Sequence, residues 1–410
     1  MLGINSKLKY NKENLLIITF SIFFYATSLV DIFRLLSQSY VPQLSSYIEI
    51  IRNCIYIGIL GIVVVLIIHS KINKNFLFIT LITLILLCIS IIINNDLLNI
   101  VIPFMFYFLS RCLTGFYLVI NIGDFSKLLV YLAKFKWIML LYSLLIIIVY
   151  SNLSDSYSKS SYMSISYNLL QISMVMLIFG VIFKKRIYYL YHFYLVMLIL
   201  IYGARGTLIC LAGFYTILFI LNRKKKIDIK YLIRLFICLF LVSISLISIP
   251  NILIFLESKF IFSRNLSLIN SENLFDYSNR LIQYSGFIKE IIKNPLIFRG
   301  LLSDRFLMAE LYNTEVSYNL YPHNIFLEII YQNGLILGII ILLNLFLQIL
   351  LKIKVIKSKE IEKYMFALFI PVPIINLMFS GSYLISYTFW MALGYLLNKT
   401  RRYDYEKSNN

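Results

Sequence analysis

The chain has 410 residues, of which 60% are hydrophobic and only 14% charged, too little polar surface to cover a soluble core of this size. Its net charge of +19 does not read as nucleic-acid binding, because Lys and Arg gather in short loops between apolar runs, as they do on the cytoplasmic side of membrane proteins. Those runs reach roughly 18 residues or more, enough for a helix to cross a bilayer, and they lack the short alternating strands of a membrane barrel.

The first apolar run follows the basic stretch NSKLKYNK and has no small-residue cleavage site, so it reads as a first spanning helix rather than a cleaved leader. Apolar length predicts about twelve spans, with cores near 14–36, 49–69, 76–94, 98–120, 130–150, 164–183, 187–202, 206–221, 231–249, 324–351, 364–380 and 382–397. Pro371, Pro373 and Gly381 interrupt the last pair. Cys54, Cys88, Cys112, Cys210 and Cys238 are dispersed within apolar runs, with no spacing for a zinc site or disulfide framework. The expected fold is an all-α polytopic membrane protein with three parts: N-terminal spans over 1–249, a loop over 250–322, and C-terminal spans with a tail over 323–410.

Charge sets the expected orientation. With the N-terminus inside, the cytoplasmic loops carry Lys71 and Lys74; Lys127, Lys134 and Lys136; Lys184, Lys185 and Arg186; Arg223 to Lys230; and Lys352, Lys354 and Lys357. The opposite loops (SQSYVPQLSSY, NND, SNLSDSYSKSSY, SGSY) are almost free of positive charge. This pattern places both termini in the cytoplasm and the 250–322 segment outside. Within that segment SNRLIQYSGFIKEIIKNP repeats apolar residues at helical spacing (Leu281, Tyr284, Ile288, Ile291, Ile292). It predicts an amphipathic helix ended by Asn294-Pro295 and able to lie on the membrane face.

Three groups stand out on the outer side. Arg205, in ILIYGARGTLIC, sits in a very short outer turn flanked by Gly203 and Gly206, where a guanidinium must be paired or hydrated and phosphate is a natural partner. Arg280 lies near the start of the amphipathic helix, where an anion is favoured. His323, in YPHNIFLEIIYQNGLILG, stands where the loop enters the tenth span, and an imidazole there suits proton transfer from a hydroxyl. The plainer alternatives are a snorkelling Arg205, a solvated Arg280 and a helix-capping His323. Asn324 and Glu328 are expected to share one helix face below His323, and Arg111, inside the fourth span, must find a partner. Asp31 and Arg34 are spaced to pair, and His69 and His192 read as structural. There is no metal-ligand cluster and no nucleotide-binding signature, so the sequence requires no cofactor.

The GARG turn, the stretch NRLIQYSGFIKEIIKNPLIFRG and the motif PHNIFLEIIYQNGLILG, in that order over roughly residues 200–345, resemble the O-antigen polymerase and ligase family of bacterial membrane glycosyltransferases. Ala204, Tyr284 and Arg299 depart from the residues usual there. The resemblance implies a GT-C-like helical glycosyltransferase fold at the cytoplasmic membrane. It implies an undecaprenyl-pyrophosphate-linked oligosaccharide as donor, with Arg205 and Arg280 on the pyrophosphate and His323 at the acceptor hydroxyl. Chain-length regulator and flippase proteins are the partners it implies. Polymerisation of repeat units is the expected reaction. Transfer to another acceptor by a ligase and transport by a lipid-linked oligosaccharide flippase are the rivals.

Overall fold

The computed structural model describes residues 2–40, 42–70, 72–152, 155–202, 204–222, 277–356 and 359–398. The predicted span 231–249, the first part of the outer segment (250–276), Gly203, Cys238 and the basic tail lie outside the described residues. Among the described residues every regular element is helical.

The helices are α1 (Leu2–Tyr40), α2 (Ser45–Ile68), α3 (Lys74–Ile93), α4 (Leu98–Tyr107), α5 (Thr114–Asn121), α6 (Phe125–Lys134), α7 (Lys136–Asn152), α8 (Asp155–Phe183), α9 (Arg186–Tyr202) and α10 (Arg205–Leu221). After the undescribed segment come α11 (Tyr277–Lys293), α12 (Asp304–Tyr312), α13 (Ile325–Asn333), α14 (Leu335–Ile356), α15 (Glu360–Phe369), α16 (Pro371–Phe379) and α17 (Tyr387–Leu397). Among the described residues seven stretches are long and apolar enough to cross a membrane, or eight if the pair α6–α7, bent by 51°, is one span. Arg186–Leu200, Gly206–Leu221 and Tyr387–Leu397 are apolar but shorter. The protein is therefore a multi-pass membrane protein. Its outward surface agrees: Ile57, Val65, Ile85, Ile92, Ile336, Leu343 and Leu347, on α2, α3 and α14, are all exposed aliphatics that only lipid satisfies.

The chain divides into two compact units. The first comprises 1–26, 49–136 and 278–410. In it α17 packs on α5 closely enough that a Cβ at Gly394 would stand 2.8 Å from the Phe116 carbonyl oxygen. Trp390 meets Phe108 and Phe116 edge-on. The second comprises 27–48 and 137–277. There α8 and α9 form a hairpin, with Tyr189 against Gly180 and His192 bonded to Ser173 and Tyr215. Asp31, expected to pair with Arg34, accepts a hydrogen bond from Asn168 at 2.9 Å.

One expectation needs correction. The run 324–351 is not one helix. It breaks between α13 and α14 at Gly334, whose φ of 76° favours glycine and whose missing Cβ admits the carbonyl oxygens of Leu296 and Ile297 at 3.1 Å. The break is pinned by Leu335 N–H donating to the Pro295 carbonyl (2.7 Å) and by the N–H groups of Arg299 and Gly300 donating to Gln332 O. The span predicted near 98–120 is present as Asn95–Ile120 and contains a π-helical turn, Phe108–Leu113, between α4 and α5. The amphipathic helix α11 ends before Asn294-Pro295, and its apolar stripe faces outward, as a helix lying on a membrane face requires. Leu281, Ile288 and Ile292 are exposed, while Gln283 and Phe287 are buried. Gln283 is drawn inside because its amide donates to the Tyr321 carbonyl (3.2 Å) and to Met308 Sδ.

Candidate functional site

The first unit gathers most of the candidate residues around the loop between α12 and α13. His323 takes φ 50°, a left-handed conformation uncommon for a residue with a side chain. It is not the helix cap. Asn324 is, its side-chain oxygen accepting from the N–H groups of Phe326 (3.0 Å) and Leu327 (3.2 Å). Asn324 thus lies before α13 and shares no helix face with Glu328. Its capping fixes the turn that presents the imidazole. The His323 ring stacks edge-on against Tyr321 at 4.5 Å, and its Nδ1 is buried with no hydrogen-bond partner. Burial, and then the positive charges of Arg280 and Arg305, push its pKa down to about 4. The ring is therefore neutral at neutral pH, with one nitrogen unmet. Arg280, exposed in the first turn of α11, is close enough for its charge to act on that ring.

Beneath this turn lies a buried ionic cluster that sequence reasoning missed. Arg305, Asp304 and Glu328 are all 0% exposed. Arg305 donates to Glu328 Oε1 (2.8 Å), to the Ser382 hydroxyl (2.8 Å), to the Tyr318 carbonyl (3.3 Å) and to Asp304. Glu328 also accepts from Ser382 Oγ and from the Tyr383 N–H (3.3 Å). Gln332 donates to Asp304 (2.5 Å) and accepts from the Tyr383 hydroxyl (2.5 Å). One guanidinium serves two carboxylates. Burial pushes both carboxyls upward, Glu328 to about 7, against the pull of Arg305. The cluster ties α12, α13 and the loop before α17 into one block under His323.

Arg111 projects from the π-helical turn. It finds tyrosines where a carboxylate was the obvious partner. Its guanidinium lies 4.3 Å from the Tyr56 ring centre and 4.4 Å from that of Tyr107. Tyr107 in turn meets Tyr318 at 6.5 Å between ring centres. Arg205 belongs to the second unit. It is the first residue of α10, after a turn in which the Ala204 N–H donates to Ser166 Oγ (2.9 Å) and Gly206 leaves room for the Tyr167 hydroxyl. Its side chain is outside the described parts. His323, Arg280, Asn324, Glu328 and Arg111 thus fall in one unit and Arg205 in the other. Among the described residues no group of His, Cys, Asp and Glu is arranged to hold a metal ion.

Residues 190–342 match the family model described as O-antigen ligase. The match covers under half of the chain and is a similarity to that family over this segment. The matched segment includes Arg205, Arg280, the Asp304–Arg305 pair, His323, Glu328 and Gln332, whereas Arg111, Ser382 and Tyr383 lie outside it. No curated protein and no solved structure matches the chain significantly. A signal for the missed cluster was present in the sequence. In LLSDRFLMAELY an Asp-Arg pair interrupts an apolar stretch, which is costly unless the pair is satisfied inside.

Proposed function

We propose that this protein joins undecaprenyl-pyrophosphate-linked repeat units into a surface polysaccharide at the outer face of the cytoplasmic membrane. In this reading twelve spans of GT-C-like arrangement place both termini inside. The observation that carries it is His323: a neutral imidazole with an unmet buried nitrogen, under the positive field of Arg280, within the matched O-antigen polymerase/ligase segment.

In the proposed step the acceptor hydroxyl oxygen attacks the anomeric carbon of the donor. The bond from that carbon to the pyrophosphate oxygen breaks, and undecaprenyl pyrophosphate leaves with the electron pair. The hydroxyl proton passes to His323 and then to water. Arg280 and Arg205 stabilise the charge growing on the leaving group, so cationic side chains fill the role a metal ion fills elsewhere.

The test is the glycan made by cells carrying His323→Ala or Arg205→Ala. Both variants are expected in the membrane at normal level, with single repeat units accumulating. Normal chain length in both would remove these roles. The description of the matched family favours a second reading, transfer of a finished glycan to another acceptor. Loss of a ligase leaves long chains on the carrier lipid, whereas loss of a polymerase leaves single units transferred. A flippase would lengthen no glycan when purified and given lipid-linked repeat units.

A further inference from the structure

The inner side of α11 is fully used. Phe287 packs edge-on against Tyr331 at 4.9 Å and joins Leu307 and Met308 in a buried cluster, with Ile291 beside it. Gly286 lets Leu311 approach so closely that a Cβ there would stand 2.9 Å from its methyl groups. Gln283 spends its amide on the Tyr321 carbonyl, two residues before His323. None of this needs the apolar residues on the other side of the helix. Yet Leu281, Ile288 and Ile292 line that side at helical spacing, all exposed. A contiguous apolar stripe of this kind marks a surface that another apolar phase covers.

Two observations name that phase. The first is continuity. The stripe runs on through Leu296 and Ile297, also exposed. Their carbonyl oxygens lie 3.1 Å from the Cβ position of Gly334, and the neighbouring Pro295 carbonyl accepts from the Leu335 N–H at 2.7 Å. The stripe therefore ends against the first turn of α14, where Leu335 and Ile336 are exposed too. α14 is a span with almost no cover from the rest of the protein, and lipid is what covers it. The second observation is charge. α11 carries Arg280, Lys289 and Lys293 against a single acid, Glu290. Lys289 and Lys293 lie one turn apart along one edge of the stripe, both exposed, and Lys293 makes only a loose 3.9 Å contact with Glu290. An amphipathic helix edged with lysines suits a surface of anionic headgroups. A second copy docking symmetrically through the same face would instead bring like charges together.

We propose that α11 is an interfacial helix that binds the anionic lipid surface of the membrane, with its stripe in the headgroup region and Lys289 and Lys293 on lipid phosphates. The seat lies opposite Gln283, so α11 stands between lipid and the turn that presents His323. The assignment holds whichever leaflet that surface belongs to and whichever transfer the site performs.

The experiment places a reporter on the stripe. The whole chain carrying Trp137→Phe, whose remaining indole Trp390 is buried, receives Ile288→Trp and is reconstituted in nanodiscs of phosphatidylcholine with or without phosphatidylglycerol. Phosphatidylcholine brominated high on its acyl chains is the quencher. Seated about 5–10 Å into the headgroup boundary, the added indole is expected to lose about half of its emission or more to the bromines. The loss is expected to deepen with phosphatidylglycerol, and Lys289→Glu combined with Lys293→Glu is expected to abolish that deepening. Ile292→Trp, one turn on, gives the same reading if the Ile288→Trp protein does not fold. An added indole that brominated lipid leaves unquenched overturns the proposal, and crosslinking of two chains through this face would then assign it to a second copy. Quenching indifferent to phosphatidylglycerol and to the charge reversal overturns the anionic partner.

Discussion

Arg305→Ala is the most informative single change in the buried cluster. It removes one guanidinium from the Tyr318 carbonyl, Asp304, Glu328 and the Ser382 hydroxyl, and it leaves two carboxylates in a wholly buried site. Removing one partner of a buried pair costs about 3–5 kcal/mol, and the upper end is expected because two carboxylates lose the same cation. Glu328→Gln is expected to cost less, about 1–3 kcal/mol, since an amide oxygen still accepts from Arg305 while Asp304 keeps the charge balanced. Combining the two changes should cost less than the sum by about 0.5–3 kcal/mol, as for residues in one network. Equilibrium unfolding of the purified protein in detergent measures all three. The wild type also carries a pH signature. The folded Glu328 has its pKa raised from 4.5 to about 7, so the native state holds more protons than the unfolded one across that window. Stability must then fall as pH rises from about 4.5 through about 7, and Glu328→Gln should flatten that slope. An Arg305→Ala protein that unfolds within about 1 kcal/mol of wild type would refute the cluster as a source of stability.

The imidazole predicts a second pH effect. With its pKa depressed to about 4, His323 is neutral in the free protein above that value, so the acid limb of kcat/KM is expected near pH 4. Bound pyrophosphate offsets the field of Arg280, so the limb in kcat should lie at higher pH, and coincident limbs would argue against His323 as the proton acceptor. Gly334→Ala should destabilise by about 1–3 kcal/mol, because φ 76° with ψ 165° suits glycine alone and the new Cβ meets two carbonyl oxygens. Thermal melting in detergent checks it.

How legible the molecule was depended on the range of the interactions. Spans such as Tyr47–Ile68 and Lys74–Ile93 could be read because burial in lipid requires only a local run of apolar side chains. The break at Gly334 was hidden because IFLEIIYQNGLILG stays apolar across it. Only Asn333-Gly334, a helix-ending pair, marked the place. Glu328 was recognised as a costly carboxylate, but its partners Arg305 and Ser382 lie in other elements, and no local pattern announces a contact across the fold. In α11 periodicity marked the apolar face, while the opposite, buried side is fixed by a contact the sequence does not announce, the Gln283 hydrogen bond to Tyr321. His323 and Arg280 stood out in the sequence because an ionisable group at a membrane boundary is unusual in itself.

The order in which the buried cluster is synthesised has a consequence for biogenesis. Asp304, Arg305 and Glu328 leave the ribosome well before Ser382 and Tyr383, which supply the hydroxyl and backbone donors that complete Glu328. The Tyr383 carbonyl is held in turn by the Trp390 indole N–H at 3.0 Å. A nascent chain that has not yet inserted its last helix therefore holds an under-satisfied carboxylate beneath His323. Completion of the cluster waits on the segment that carries Ser382 and Tyr383.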